Sequence, residues 1–308
     1  MNNMTIVYIL AALLLLFLAI VWVVYYMCFF QSRRQRKTWR DTDFTGSYAP
    51  YMERVKELIA KLEATDFEPV QCMSEDGLIL TGRYYHLSDH APLDIMVHGY
   101  RSCSSIDFCG GFQMARELNH NVLLIDQRAC GGSEGRSITF GIKERRDLLN
   151  WITYAICRFG EDVEINLFGV SMGAATVLMI NDLELPGNVK RIIADSPYDV
   201  PKDIIMKVAR NMGFPDAVWP LIWLAARLCC RIDITESSAL DGVRRCKVPL
   251  LIFHGEADQL VPCEMSRTLY EAAPEGTRLV TVPGADHVAS MLADRETYRA
   301  AVWEFMGK

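Results

Sequence analysis

No Cys-x-x-Cys pair occurs among the ten cysteines of this 308-residue chain, and their spacing forms no disulfide framework. A zinc ribbon and a dithiol redox motif are therefore excluded. No His-Glu-x-x-His occurs either, and the six histidines form no ligand cluster, so neither a metal nor a cofactor is expected. Positive charge is scarce. The net charge is −6, and basic residues cluster only at Arg33, Arg34, Arg36 and Lys37, which leaves no footprint for nucleic acid. Internal repeats are absent, as is low complexity beyond an apolar N-terminus.

That N-terminus is the most unusual stretch present. Residues 4–30 carry no charge and are rich in Leu, Ile and Val. About 20 apolar residues suffice for a helix to cross a hydrocarbon core of ~30 Å. No basic region precedes the run and no small-residue cleavage site follows it, which argues against a cleaved signal peptide. Tyr8, Trp22, Tyr25 and Tyr26 are expected near the two interfaces. The four basic residues follow the run within seven positions, so the positive-inside rule places the rest of the chain in the cytoplasm. Cys157, Cys229 and Cys230 lie within apolar runs and read as reduced, buried thiols, which suits that compartment. The expectation is a single-pass membrane protein.

Residues 31–66 read as a juxtamembrane connector. Within it, 51–64 has helical periodicity, with Val55, Leu58, Ile59 and Leu62 on one face. Two strands over 67–73 and 78–86 flank a Glu75-Asp76-Gly77 turn. Strands and helices then alternate. Strands are predicted at 94–97, 122–125, 163–168, 189–194, 249–253 and 278–282. Helices are predicted at 107–118, 140–159, 174–183, 263–272 and 296–305. This rhythm implies one α/β domain over 67–308, a mostly parallel central sheet with helices on both faces. It is interrupted at about 198–232 by a helical segment rich in large apolar residues, placed to form a small lid over the carboxyl ends of the strands. Phe214, Trp219 and Trp223 are its candidate substrate contacts.

Gly169-Val170-Ser171-Met172-Gly173 fits the Gly-x-Ser-x-Gly nucleophile elbow, but so does Gly131-Gly132-Ser133-Glu134-Gly135. Context separates them. Ser171 directly follows a predicted strand and precedes a predicted helix, whereas Ser133 is removed from its strand by four residues and reads as a loop residue. A triad on such a sheet runs in the order Ser, Asp or Glu, His. Asp258 and His287 lie in loops after successive strands, at the edge that presents Ser171, so the three can converge. Glu256 and Asp286 are competing acids that read as solvated loop residues. His86, His90 and His120 are expected to be exposed, and His98 and His254 to be structural. The backbone N–H groups of Met172 and Tyr100 are the expected oxyanion donors.

With these residues in view, the chain resembles the α/β-hydrolase superfamily from about Phe67 to its end. It looks most similar to bacterial hydrolases with one N-terminal membrane helix and to related eukaryotic α/β-hydrolase-domain proteins. His98-Gly99-Tyr100, Asp126-Gln127-Arg128 leading to Gly132-Ser133, the elbow at Ser171 and His254-Gly255 leading to Asp258 carry the likeness. Relatives usually have Gly where this chain has Ala129, a difference of loop geometry. In such proteins the Asp and Arg of the second motif are structural. The resemblance implies cofactor-free hydrolysis of carboxylic esters, thioesters or sometimes peptides, and does not identify the substrate. A small-molecule or lipid-like ester is the favoured substrate; the apolar lid suggests an acyl chain, and equally its side chains can simply pack the lid onto the domain. A serine peptidase of the same fold and a non-catalytic membrane-tethered binding protein are the alternatives.

Overall fold

The computed structural model describes residues 3–40 and 46–308. Residues 41–45 of the expected connector lie outside the described residues. Helix α1 (Asn3–Cys28) comes first, and α2 (Met52–Glu63) follows. Strands β1 (Glu68–Met73) and β2 (Ile79–Tyr85) form a hairpin, and β3 (Leu93–Val97) follows them. Next come α3 (Ser104–Asp107), α4 (Cys109–Glu117), β4 (Asn121–Ile125), α5 (Glu144–Phe159), β5 (Ile165–Val170), α6 (Met172–Met179) and β6 (Val189–Asp195). The segment expected as a lid contains α7 (Pro201–Asn211) and α8 (Trp219–Ala225), and a π-helical turn continues α8 through Cys230. The chain closes with α9 (Ala239–Arg245), β7 (Leu250–Gly255), α10 (Cys263–Ala272), β8 (Arg278–Val282), α11 (Ser290–Ala293) and α12 (Arg295–Met306).

The eight strands form one sheet in the order β1-β2-β4-β3-β5-β6-β7-β8. Strand β2 runs antiparallel to both of its neighbours, β1 and β4. From β4 through β8 every pair is parallel. Both faces of the sheet are covered, which is why its central strands are mostly apolar rather than alternating. Side chains alternate between two cores. Ile95, Val97, Leu167 and Ile252 join the larger one, which includes α5, α6 and α9. Met96, Phe168, Leu251 and Phe253 join α4 and α12 on the opposite face.

Several elements differ from expectation. The helix expected over 107–118 is two short helices that meet at Phe108. The helix expected from 140 starts at Glu144, because Phe140 (φ 53°) and Gly141 (φ 87°) are left-handed. Glu144 then takes the Thr139 and Gly141 N–H groups, at 2.7 and 3.0 Å, where a capping residue would act. His120 is buried, and its Nδ1 lies 3.0 Å from the equally buried Asp94. Tyr25, expected near an interface, is half-buried against the domain, and its hydroxyl is 2.9 Å from that of Ser137. The ten cysteines are all free; Cys230 is buried, while Cys157 and Cys229 are exposed.

Helix α1 has two parts. Residues 3–20 are exposed on every side and rise about 27 Å. From Val21 onward one face docks: Val21, Val24, Tyr25 and Cys28, at helical spacing, belong to the larger core, with α8 as their neighbour. Phe29 is fully buried and meets Phe140 edge-on at 5.8 Å. Beyond the helix, the Arg36 guanidinium donates to the carbonyls of Gly131, Ser133 and Gly135. The Val55, Leu58 and Ile59 face of α2 packs on Cys103, Ile106 and Cys109.

Candidate active site

Strand β5 runs straight into Ser171, which stands at φ 53°, ψ −119° before α6 begins. An L-residue takes this conformation only at a cost, so surrounding contacts must hold it. One is the Ser171 N–H donating to the Asp195 carbonyl at 2.8 Å. The flanking glycines are required by close approach. A Cβ at Gly169 would run into the Gly173 carbonyl, and one at Gly173 into the Val97 carbonyl. Helix α6 therefore lies directly on the end of β3, which brings Gly99 against Ser171: a Cβ there would stand 3.3 Å from the Ser171 Cβ.

The three residues expected to converge do so. The Ser171 Oγ lies 2.8 Å from His287 Nε2, and His287 Nδ1 lies 2.7 Å from Asp258 Oδ2. With Nδ1–H donating to the carboxylate, Nε2 is left to accept the serine proton. Asp258 Oδ1 takes the N–H groups of Leu260 and Val261, at 2.9 and 2.7 Å. Burial pushes the Asp258 carboxyl up, but the hydrogen bonds from His254 and His287 and the Val261 N–H outweigh it and lower it to about 2.

His254 was read from sequence as structural, and it is fully buried. Its Nδ1 meets the Ser266 hydroxyl at 2.6 Å. Nε2–H faces the Val261 carbonyl at 2.9 Å and Asp258 Oδ2 at 3.2 Å. Asp258 is thus held between two imidazoles, an arrangement that only the strand-end position of His254 hinted at. Asp195 was also missed. It ends β6, is buried, and bonds the Ser196 hydroxyl at 2.9 Å, while that hydroxyl accepts the Val288 N–H beside His287. Burial raises the Asp195 carboxyl, partly offset by Ser196. An acid closing an apolar strand was the available signal.

The competing residues are occupied elsewhere. Asp286 accepts the His287 and Gln259 N–H groups and the Ser47 hydroxyl. Glu256 accepts the Thr281 hydroxyl. Ser133 is fully buried; it donates to the Asp126 carbonyl at 2.6 Å and accepts the Thr81 N–H. Buried His98 accepts the Gln127 N–H at its Nε2. Arg128 pairs with Asp147 through two 2.6 Å bonds and with Asp76 through two more, and Ala129 is left-handed at φ 63°.

Met172 opens α6, where a first-turn N–H has no helical acceptor. Tyr100 follows Gly99 in the turn after β3. The three aromatics expected as substrate contacts have these surroundings. Phe214 is exposed, Trp219 lies under the Lys202 ammonium, and Trp223 donates to Asp233 at 3.4 Å. Among the described residues, no cluster of three or more His, Cys, Asp or Glu is placed to hold a metal ion.

A nucleophile-elbow serine at the carboxyl edge of a mostly parallel sheet defines a fold class, and the family model for the alpha/beta hydrolase family matches residues 95–301. The chain belongs to that family. It is similar to the uncharacterized protein YqkD of Bacillus subtilis, 25% identical over 252 residues that cover 78% of this chain and 82% of that one. A shorter stretch of 119 residues, 38% of this chain and 37% of the other, is 31% identical to the thiohydrolase aneE of Aspergillus aculeatus. Among solved structures, the Pyrococcus furiosus esterase Pf2001 superposes with a TM-score of 0.64 at 22% identity, covering 86% of this chain and 95% of that one.

Proposed function

We propose that the protein is a membrane-held serine hydrolase of carboxylic esters, with Ser171 as nucleophile, His287 as general base and acid, and Asp258 as the carboxylate that orients it. The observation that carries this reading is the unbroken chain of short bonds from Asp258 through His287 to Ser171, at 2.7 and 2.8 Å. His287 Nε2 takes the hydroxyl proton as Ser171 Oγ attacks the ester carbonyl carbon. The Met172 and Tyr100 N–H groups receive the resulting oxyanion. As it collapses, His287 gives the proton to the leaving alcohol and an acyl-enzyme remains. Water, deprotonated by His287, then releases the acid and restores the serine. Asp258 keeps the imidazole in the required tautomer throughout.

The anchor in this reading is α1, 26 residues long and apolar enough to cross a membrane. Trp22 and Tyr26 stack at 5.7 Å on its exposed side, and Trp and Tyr are the residues enriched at membrane interfaces. Exposed Arg33, Arg34 and Lys37 follow, which supports a cytoplasmic domain. An apolar lid packed on such a helix favours acyl or lipid-like esters over soluble ones. A fluorophosphonate probe tests the nucleophile: wild type is expected to label and Ser171→Ala not to, and equal labelling would sink the assignment. A panel of p-nitrophenyl esters of rising chain length against aminoacyl anilides tests the substrate class; turnover of anilides without ester preference would replace the esterase by a peptidase.

A further inference from the structure

An α-helix leaves its last four carbonyls without partners inside the helix. Helix α1 has no basic residue in its last turn to meet them. The Tyr25 carbonyl accepts the Phe29 and Phe30 N–H groups just beyond the helix, while the Met27 and Cys28 carbonyls, and those of the two residues that follow, are met from the hydrolase domain. The Met27 and Phe30 carbonyls accept the Arg101 guanidinium, at 3.0 and 2.9 Å. The Cys28 carbonyl accepts the Tyr100 hydroxyl at 2.8 Å, and the Phe29 carbonyl accepts the Ile138 N–H at 2.8 Å. Three of four consecutive carbonyls are thus capped by two adjacent residues, and these are the turn that follows β3. A cation there also meets the negative end of the helix dipole.

This is the turn whose Tyr100 N–H is assigned above to the oxyanion. Its backbone is held at one end by the Gly99 N–H on the Asp107 carboxylate, at 2.7 Å. At the other end it passes through Arg101, a left-handed non-glycine residue at φ 51°. Such a conformation persists only where contacts over-determine it. Those contacts lead to the N-terminal helix. The guanidinium lies over the Tyr100 ring at 4.9 Å, and that ring stacks on Phe140 at 5.2 Å. Phe140 in turn meets the buried Phe29.

We infer that the side chains of Tyr100 and Arg101 are positioning residues, which clamp the oxyanion turn to the carboxyl end of α1 and make turnover depend on the seat of that helix. The inference rests on the esterase reading and goes beyond it, because it makes the apolar helix part of the catalytic scaffold. Releasing the clamp lets the donor drift while the triad and the lid stay in place. A donor displaced by ~1 Å costs up to ~10²-fold in rate. The loss therefore falls on kcat and on oxyanion binding, and leaves KM nearly unchanged.

The test uses the full chain in lipid nanodiscs, with a p-nitrophenyl ester as substrate and a trifluoromethyl ketone as a probe that forms an oxyanion on the serine. Tyr100→Phe removes one oxygen and Arg101→Met the cation; both keep every backbone N–H. Each is expected to lower kcat by roughly 10–100-fold, less than the ~10²–10³ of losing a donor outright, with KM within about twofold. Ketone inhibition should weaken in parallel, and Arg101→Lys should recover part of both. Thermal melts are recorded for each variant, and if Arg101→Met fails to fold, Tyr100→Phe decides. Wild-type kcat and ketone affinity in a folded Tyr100→Phe would overturn the clamp, as would a loss confined to KM. A wild-type chain without turnover overturns the esterase reading and the clamp together. Turnover that Ser171→Ala abolishes but Tyr100→Phe leaves intact overturns the clamp alone.

Discussion

Asp258 shows how one residue's surroundings set its role. Two imidazoles and two backbone N–H groups converge on its carboxylate and hold it ionised down to about pH 2. An aspartate in the unfolded chain titrates near ~3.9. The folded value is the lower one, so the stabilisation is complete above about pH 4 and is lost as pH falls toward 2. Acid unfolding followed by circular dichroism should therefore show wild type losing stability across that window, and Asp258→Asn should lack this component. In Asp258→Asn the imidazole also loses the acceptor that fixes its tautomer. The expected drop in kcat is ~10³–10⁴-fold with little change in KM, measured at neutral pH. At this scale the sequence was informative where chain order constrains chemistry: Ser171, Asp258 and His287 meet, and strand-to-helix context separated Ser171 from Ser133. It marked His254 as structural without showing its bond to Asp258, and it passed over Asp195, because both contacts join residues that only the fold brings together.

Helices and strands carry their own consequences. Gly173 sits where α6 crosses the end of β3, with the Val97 carbonyl in the space a side chain would take. Gly173→Ala must push the helix away from the strand, a backbone shift rather than a rotamer change. A loss of roughly 1–3 kcal/mol is expected, read as a lower melting temperature together with slower fluorophosphonate labelling. Arg128 ties the loop after β4 to α5 through Asp147 and to the β1–β2 turn through Asp76. Arg128→Met leaves Asp147 buried without a partner and should cost ~3–5 kcal/mol in denaturant unfolding. The central strands were readable because both faces are buried and most positions are apolar. Boundaries were less so. Phe140 and Gly141 continue the apolar periodicity of α5 but are left-handed, and the break at Phe108 has no sequence signal comparable to a proline.

For the whole molecule, the main departure from a domain on a tether is the docked end of α1. Residues 3–20 stand clear of the domain, while Val21, Val24, Tyr25, Cys28 and Phe29 belong to it. Hydropathy treats residues 4–30 as one run and cannot see this division, because a core and a bilayer select the same side chains. Ser137, Phe140 and Arg101 become partners only through the fold. If the positive-inside reading holds, protease added to intact cells should leave the domain uncut, and permeabilised cells should yield fragments. Cleavage of the domain from outside would reverse the orientation. The docking also bears on the order of assembly. The plug, Phe29 and the carbonyls around it, is synthesised before the socket that receives it, whose walls span Tyr100 to the end of α8. Until that socket exists, the Met27 and Cys28 carbonyls and the Phe29 ring lack the partners that the folded domain supplies.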